Sequence, residues 1–179
     1  MKRLILTALV PAIASLTLAS TTVPAGAATP VATANYTIAY TCTAGPGCTL
    51  GITSTHTYVL AVDCDGVITG TGTQVGYPQI LETVSGTLSF DETTRTVTVN
   101  FVSLYVGALF TGYALTVTGT VDPRTGALTG TATSQLAGSP ELSATFSVLG
   151  TRDSFGFNDA ACSDGQHGPD DVHGDDGGD

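Results

Sequence analysis

Apolar and polar residues alternate with period two over most of this chain, from Asn35 to Leu149, and this pattern restricts the possible folds more than any other feature. Successive side chains of an extended strand point to opposite faces, so the alternation predicts strands with one buried and one exposed face. No stretch competes by placing its apolar residues at helical spacing. We therefore predict an all-β protein of eight strands, near residues 36–41, 55–63, 67–74, 83–90, 97–101, 113–121, 127–134 and 142–148.

Three short segments between these strands have the composition of tight turns: 63–66, 91–95 and 122–126. In the last of them, Asp122 can cap the turn, Pro123 presets its φ angle and Gly126 accepts a left-handed conformation. Tight turns join antiparallel neighbours, so the simplest topology is an up-and-down meander. We predict a single eight-stranded antiparallel β-barrel, with the architecture of calycins and avidin. The alternative, if the first and last strands do not pair, is an immunoglobulin-like β-sandwich.

A meander sorts its connections onto two ends. The tight-turn end carries the three turns above, and the long-loop end carries the connections 43–54, 75–82, 105–111 and 135–141. Cys42 and Cys48 fall at the long-loop end, whereas Cys64 and Cys162 fall at the tight-turn end. Of the three possible pairings, this sorting favours Cys42–Cys48 and Cys64–Cys162.

The first 27 residues have the pattern of a secretory signal peptide. Lys2 and Arg3 precede an apolar stretch, and Ala25-Gly26-Ala27 is a small-residue cleavage site. We predict three regions: a signal peptide at 1–27, a barrel domain with two disulfides at 28–162, and a disordered acidic tail at 163–179. The apolar stretch is short for a membrane span, so the expected location is secreted and extracellular.

The chain has a formal net charge of −10, and all 15 acidic residues follow the predicted signal peptide. Only three strong bases accompany them, Arg95, Arg124 and Arg152. Such a surface repels nucleic acid and anionic membranes, so neither is expected as a partner. The tail holds six Asp and two His, but their spacing matches neither an EF-hand loop nor a repeated calcium-binding motif. No metal site and no cofactor are predicted.

The connections of the long-loop end are more apolar and aromatic than solvated loops need to be. One interpretation is that these residues fold back and plug the barrel. The other is a mouth that binds a small apolar ligand or an extracellular protein partner, since barrels of this size can hold one ligand. The predicted ligand-binding residues are Tyr77, Ile80, Leu81, Tyr105, Leu109, Phe110 and Leu136.

Candidates for catalysis are few. One candidate base is His56, the only histidine outside the tail. Glu82 and Glu141 fall in predicted loops of the long-loop end, where they could form a carboxylate pair. The chain has no Gly-x-Ser-x-Gly, phosphate-loop or His-Glu-x-x-His motif. The leading hypothesis is therefore a secreted, non-enzymatic binding module. The alternatives are a barrel-type isomerase or cyclase acting on an apolar substrate, and an extracellular structural or inhibitor protein.

Glycine recurs inside the predicted strands between hydroxyl residues, as in Thr118-Gly119-Thr120 and Thr129-Gly130-Thr131. Glycines in strands mark sharp bending or close approach, so we interpret them as curvature devices.

The segment 126–132 resembles hairpins of avidin-like barrels, which implies the same meander architecture. The acidic composition and the short loop from Cys42 to Cys48 resemble the apoproteins of enediyne antibiotics, which carry a hydrophobic chromophore. No family is claimed from either resemblance.

Overall fold

The computed structural model of the protein describes residues 30–106, 112–158 and 162. The predicted signal peptide and acidic tail lie outside the described residues. Eight strands make up most of the described chain: β1 (Ala32–Ala44), β2 (Thr53–Val62), β3 (Val67–Gln74), β4 (Tyr77–Asp91), β5 (Thr96–Val106), β6 (Tyr113–Val121), β7 (Leu128–Leu136) and β8 (Ser139–Phe157).

Each strand pairs antiparallel with its neighbours in the chain, and β1 also pairs with β8, so the sheet closes into a barrel. The closing ladder runs from Ala32 opposite Phe157 to Ala44 opposite Thr145. The predicted eight-stranded up-and-down barrel is confirmed. A sandwich would need two separate sheets, and the β1–β8 ladder excludes it.

Two of the predicted turns are capped by an aspartate, at 122–126 as expected. The carboxylate of Asp122 accepts hydrogen bonds from the backbone N–H groups of Arg124 and Thr125, and Gly126 has a φ of 73°. In the β2–β3 turn, the cap is Asp63, which accepts from the N–H groups of Asp65 and Val67. Short side-chain caps of this kind hold the turns in which antiparallel neighbours meet.

Both predicted disulfides are present, Cys42–Cys48 and Cys64–Cys162, with Cα–Cα distances of 6.0 and 5.8 Å. The first closes a loop of the long-loop end. The second ties the residues after β8 to the β2–β3 turn at the tight-turn end. The sorting of connections onto two ends was thus sufficient to choose the pairing.

Two connections of the long-loop end are shorter than predicted. The loop expected at 75–82 is a two-residue turn, because Gly76 takes a φ of 85° and β4 already begins at Tyr77. The loop expected at 135–141 is likewise a turn at Ala137 and Gly138, and β8 begins at Ser139. The predicted loop residues Glu82 and Glu141 therefore lie in strands.

Gly119 on β6 lies directly opposite Gly130 on β7. A Cβ atom added to Gly130 would lie 2.2 Å from the carbonyl oxygen of Thr118. The two strands therefore approach too closely here for any side chain. This agrees with the interpretation of the repeated glycines as devices of curvature.

The inward-facing side chains form one core that fills the middle of the barrel, with Ile38, Tyr58, Phe101, Val117 and Val148 among its most buried members. Four buried polar residues interrupt it: His56, Glu82, Ser103 and Ser134. Within the described residues, no helix is long and apolar enough to cross a membrane.

Candidate functional site

A group of polar side chains lies inside the barrel between its middle and the long-loop end. We call it the His56–Glu82 cluster, and it consists of His56 and Tyr58 on β2, Tyr40 on β1, Glu82 on β4 and Ser103 on β5. Each member is at most 1% exposed. Their inward direction follows from the alternation, because each lies in phase with an apolar core residue of its own strand, such as Leu60 or Val84.

The cluster forms because β3 supplies no side chain between two of its members. Gly72 lies opposite Tyr58 of β2 on one side and opposite Glu82 of β4 on the other. A Cβ atom on Gly72 would lie 2.4 Å from the ring of Tyr58. The ring of Tyr58 therefore crosses over the backbone of β3, and its hydroxyl reaches the carboxylate of Glu82 at 2.7 Å.

Glu82 accepts three hydrogen bonds from side chains. The Nδ1 atom of His56 lies 2.7 Å from Oε1, and the hydroxyls of Tyr58 and Ser103 donate to Oε2 at 2.7 and 2.5 Å. The hydroxyl of Tyr40 lies 3.1 Å from that of Tyr58. Because the hydroxyl of Tyr58 donates its proton to Glu82, the hydroxyl of Tyr40 donates to that of Tyr58. The hydrogen bonds therefore run from Tyr40 through Tyr58 to the carboxylate.

The electrostatics of the cluster favour an ionised Glu82. Burial opposes ionisation, but the hydrogen bond and charge of His56 and the hydroxyls of Ser103 and Tyr58 outweigh it and lower the pKa of Glu82. Burial, reinforced by the nearby carboxylate, raises the pKa values of Tyr40 and Tyr105 far above the ordinary value for tyrosine. The tyrosines therefore act only as neutral hydrogen-bonding groups at physiological pH.

This arrangement defines which ring nitrogen of His56 donates to Glu82. An ionised carboxylate can only accept, so Nδ1 of His56 carries a hydrogen and donates it to Glu82. In the neutral ring, Nε2 then has a free lone pair, and it lies 3.2 Å from the hydroxyl of Ser54. Tyr40, Tyr58 and Tyr105 enclose the imidazole with ring centroids 5.0 to 6.2 Å away. In the order carboxylate, imidazole, hydroxyl, proteins use the carboxylate to orient the imidazole and the imidazole as a base for the hydroxyl.

Ser54 connects the cluster to a cavity at the long-loop end. This cavity has a volume of about 360 Å³, within the range of roughly 300 to 1,000 Å³ usual for ligand pockets. Three tyrosines, Tyr40, Tyr105 and Tyr113, form part of its wall, together with Ile80 and Phe146. We call it the long-loop cavity. Its lining is mainly aromatic and apolar, with Ser54 as the polar group next to His56.

The predicted ligand-binding residues divide between the two faces of the sheet. Ile80 and Tyr105 are buried and line the long-loop cavity, whereas Tyr77 and Leu81 are 53% and 52% exposed. Leu81 points outward because it follows Ile80 directly in β4. Leu136 is half-buried at the end of β7. Leu109 and Phe110 lie outside the described residues.

The sequence-based interpretation named His56 and Glu82 but did not bring them together, and it did not single out Ser54, Tyr40 or Ser103 as site residues. A signal was available: continuing the β2 alternation back from Leu60 and Tyr58 places His56 and Ser54 on the inner face. For Glu82 the alternation was hidden by the predicted loop at 75–82. Glu141, the other carboxylate considered, is exposed on β8 and takes no part in the cluster.

The cluster offers one imidazole and one carboxylate as metal ligands. Within the described ranges, no group of three or more His, Cys, Asp or Glu side chains lies close enough to hold a metal ion.

Comparison of the chain with models of protein families, with curated proteins and with solved structures finds no match.

Proposed function

We propose that this protein is an extracellular binding protein that holds a small ligand in the long-loop cavity. The observation that carries the proposal is the buried His56–Glu82 pair beside an aromatic cavity. A buried carboxylate and its polar partners contribute little net stability compared with apolar packing, so the position of Glu82 and His56 next to a cavity favours a role in recognition. An apolar pocket with a few convergent polar groups is the usual form of a small-molecule site.

The lining indicates what kind of ligand fits. The rings of Tyr105 and Tyr113 pack edge to face at 4.8 Å and present apolar surface, while Ser54 offers one hydroxyl. A small, planar, largely apolar molecule with a hydrogen-bonding group for Ser54 would match both. Thr49 and Gln74 are further polar side chains of the lining. The two disulfides are compatible with an extracellular protein, and the predicted signal peptide supports the same location.

Binding can be tested with indole and para-cresol, which are planar and carry one polar hydrogen. We expect both to shift the amide NMR signals of Ser54 and Tyr105 in the wild-type protein. Ile80→Trp fills the cavity and should abolish these shifts. Leu81→Trp is the matched control, because the next residue of the same strand points outward, and it should retain them.

Two results would contradict the proposal. One is that Ile80→Trp and Leu81→Trp bind the probes equally well. The other is that neither probe binds the wild-type protein and that the protein purified from its own culture medium carries no small molecule in native mass spectrometry.

A second candidate function is acid–base catalysis on a bound apolar molecule, as in an isomerase. The observation that favours it is the order Glu82, His56, Ser54, which leaves the Nε2 lone pair of His56 beside the cavity. A base held by a carboxylate in an apolar site can remove a proton from carbon, with the Ser54 hydroxyl passing that proton to Nε2.

Nitrobenzisoxazole is a suitable probe of such a base, because loss of its ring C–H proton breaks the N–O bond and releases a coloured cyanophenolate. We expect ring opening by the wild type and by Leu81→Trp, but not by His56→Gln. Equal rates in wild type and His56→Gln would exclude catalysis and leave the binding proposal intact.

A further inference from the structure

The opposite end of the barrel contains a second, larger cavity that the proposed function does not use. It lies at the tight-turn end and has a volume of about 490 Å³. We call it the tight-turn cavity. Apolar side chains from all eight strands line it, among them Leu60, Leu88, Val99, Val121 and Leu128. Buried core residues, including Ile38, Ile68 and Phe101, form its floor.

Three exposed aromatic rings stand at the mouth of this cavity. Phe90 is 56% exposed, Phe155 55% and Phe157 63%. Large apolar side chains gathered around an opening, in a chain that is otherwise rich in threonine and glycine, mark a surface that binds an apolar molecule. Their exposure costs solubility unless something covers them.

One strong base enters the cavity. Arg152 lines it from β8, and the guanidinium carbon lies 4.9 Å from the centroid of the Phe155 ring. Arg152 and Phe155 are an odd number of residues apart and would normally point to opposite faces. A β-bulge removes this conflict, because Tyr36 of β1 pairs with Arg152 and Asn35 with Ser154, which leaves Asp153 without a partner in the ladder.

The side chain of Asp153 is held on the outer face by Thr37, whose hydroxyl donates to it at 2.8 Å. The bulge therefore turns the aspartate out while it keeps both the arginine and the phenylalanine inside. Bulges of this kind commonly redirect a side chain at the rim of a barrel.

The guanidinium of Arg152 has room because Gly126 has no side chain. A Cβ atom on Gly126 would lie 2.4 Å from Nε of Arg152. Among the described residues, no carboxylate forms a salt bridge with Arg152. Asp63 and Asp65 also line the mouth, and one oxygen of Asp63, Oδ1, accepts from two backbone N–H groups of its own turn. Neither carboxylate lies within salt-bridge distance of Arg152. Arg152 thus offers, inside an apolar cavity, a positive charge that no carboxylate of the described residues pairs with.

We propose that the tight-turn cavity binds a free fatty acid, with the alkyl chain on the apolar lining and the carboxylate on Arg152. Charge complementarity selects this ligand over a neutral lipid, because a guanidinium binds a carboxylate through two parallel hydrogen bonds. The site is separate from the long-loop cavity, and the two share none of their lining residues.

The test is binding of dodecanoate, with dodecanol as the uncharged probe of equal chain length, measured by isothermal titration on the purified protein. We expect Arg152→Gln to weaken dodecanoate binding by about tenfold or more and to leave dodecanol binding unchanged. Arg124→Gln removes the same charge from the exposed β6–β7 turn and is the matched control. It should bind dodecanoate nearly as well as the wild type.

A second variant tests the location. Val121→Phe narrows the apolar lining and should weaken both probes, whereas Ile80→Trp at the long-loop end should weaken neither. Circular dichroism checks that each variant is folded, and Arg152→Gln alone remains decisive if Val121→Phe is not. Three results would overturn the proposal: no dodecanoate binding by the wild type, equal losses in Arg152→Gln and Arg124→Gln, or binding that Ile80→Trp abolishes. The last would place the probe in the long-loop cavity.

Discussion

Glu82 is a buried carboxylate that the barrel keeps ionised. Its two oxygens accept from one imidazole and two hydroxyls, and each of these donors comes from the interior of β2 or β5. Removal of one partner of a buried ion pair leaves the other charge without compensation, which typically lowers the free energy of unfolding by about 3 to 5 kcal/mol. Glutamine is a milder change, because its carbonyl oxygen can still accept from Tyr58 and Ser103.

Glu82→Gln should make the protein less sensitive to acid. The pKa of Glu82 is lower in the folded barrel than its ordinary value of 4.5. The unfolded chain therefore takes up the proton first as the pH falls. The stability that the ionised carboxylate contributes is complete above its ordinary pKa and is lost as the pH drops through the lowered one.

Urea unfolding measured from about pH 6 down to about pH 2 would show this as a shallower decline in the free energy of unfolding for Glu82→Gln. Glu141→Gln, which changes an exposed glutamate of β8, is the control and should follow the wild type. A decline as steep in Glu82→Gln as in the wild type would contradict the assignment. Some decline remains in every variant, because turn hydrogen bonds also lower the pKa values of Asp91 and Asp122.

At the scale of the strand, β3 contributes to the cluster because its residue Gly72 has no side chain. Gly72 separates Tyr58 from Glu82 in the ladder, and the Tyr58 ring occupies the space where a Cβ atom would stand. The same strand has Thr71 on its exposed outer face. The glycine repeats noted in the sequence thus serve two purposes, curvature at Gly119 and Gly130 and access for a side chain at Gly72.

Gly72→Ala should displace the Tyr58 ring and break its hydrogen bond to Glu82. Overpacking of this kind typically costs about 1 to 3 kcal/mol, which chemical denaturation would measure. Thr71→Ala is the matched control on the neighbouring position and should cost less than about 1 kcal/mol. If the two variants unfold at the same denaturant concentration, the close contact at Gly72 is not a determinant of the cluster.

At the scale of the whole molecule, closure of the barrel brings distant parts of the chain together. The β1–β8 ladder joins the two ends of the sheet, and Cys64–Cys162 adds a covalent link across 98 residues of sequence. Cys42–Cys48 spans only 6 residues. A cross-link constrains the unfolded chain more when it closes a longer loop.

The double variant Cys64→Ser, Cys162→Ser should therefore lose more stability than Cys42→Ser, Cys48→Ser. The chain-entropy relation gives losses of about 4.7 and about 2.2 kcal/mol respectively. Thermal unfolding of the two double variants beside the wild type would test the order. A larger loss from the short-loop variant would mean that native-state packing around Cys42, which is buried, outweighs loop entropy.

Much of the architecture was readable from the sequence because its signals are local. Alternation predicted the strands and their inner faces. The tight turns at 63–66, 91–95 and 122–126 predicted the antiparallel order, and the sorting of connections onto two ends predicted the disulfide pairing. The ends of the strands were predicted less accurately. The two-residue turns at Gly76 and Gly138 lie in segments whose composition also fits longer loops. Because 75–82 was predicted as a loop, the inward position of Glu82 in β4 was missed.

Periodicity within a strand therefore determined which side chains of this protein point inward, and cysteine spacing on a meander determined the disulfides. Only the tertiary structure decided which inward side chains meet. His56, Glu82 and Ser103 are 26 and 21 residues apart along the chain, and their contact depends on the register of β2, β3, β4 and β5 and on the gap at Gly72. The bulge at Asp153 likewise places Arg152 in the tight-turn cavity. Register and bulges arise from packing between strands, and no local pattern in one strand specifies them.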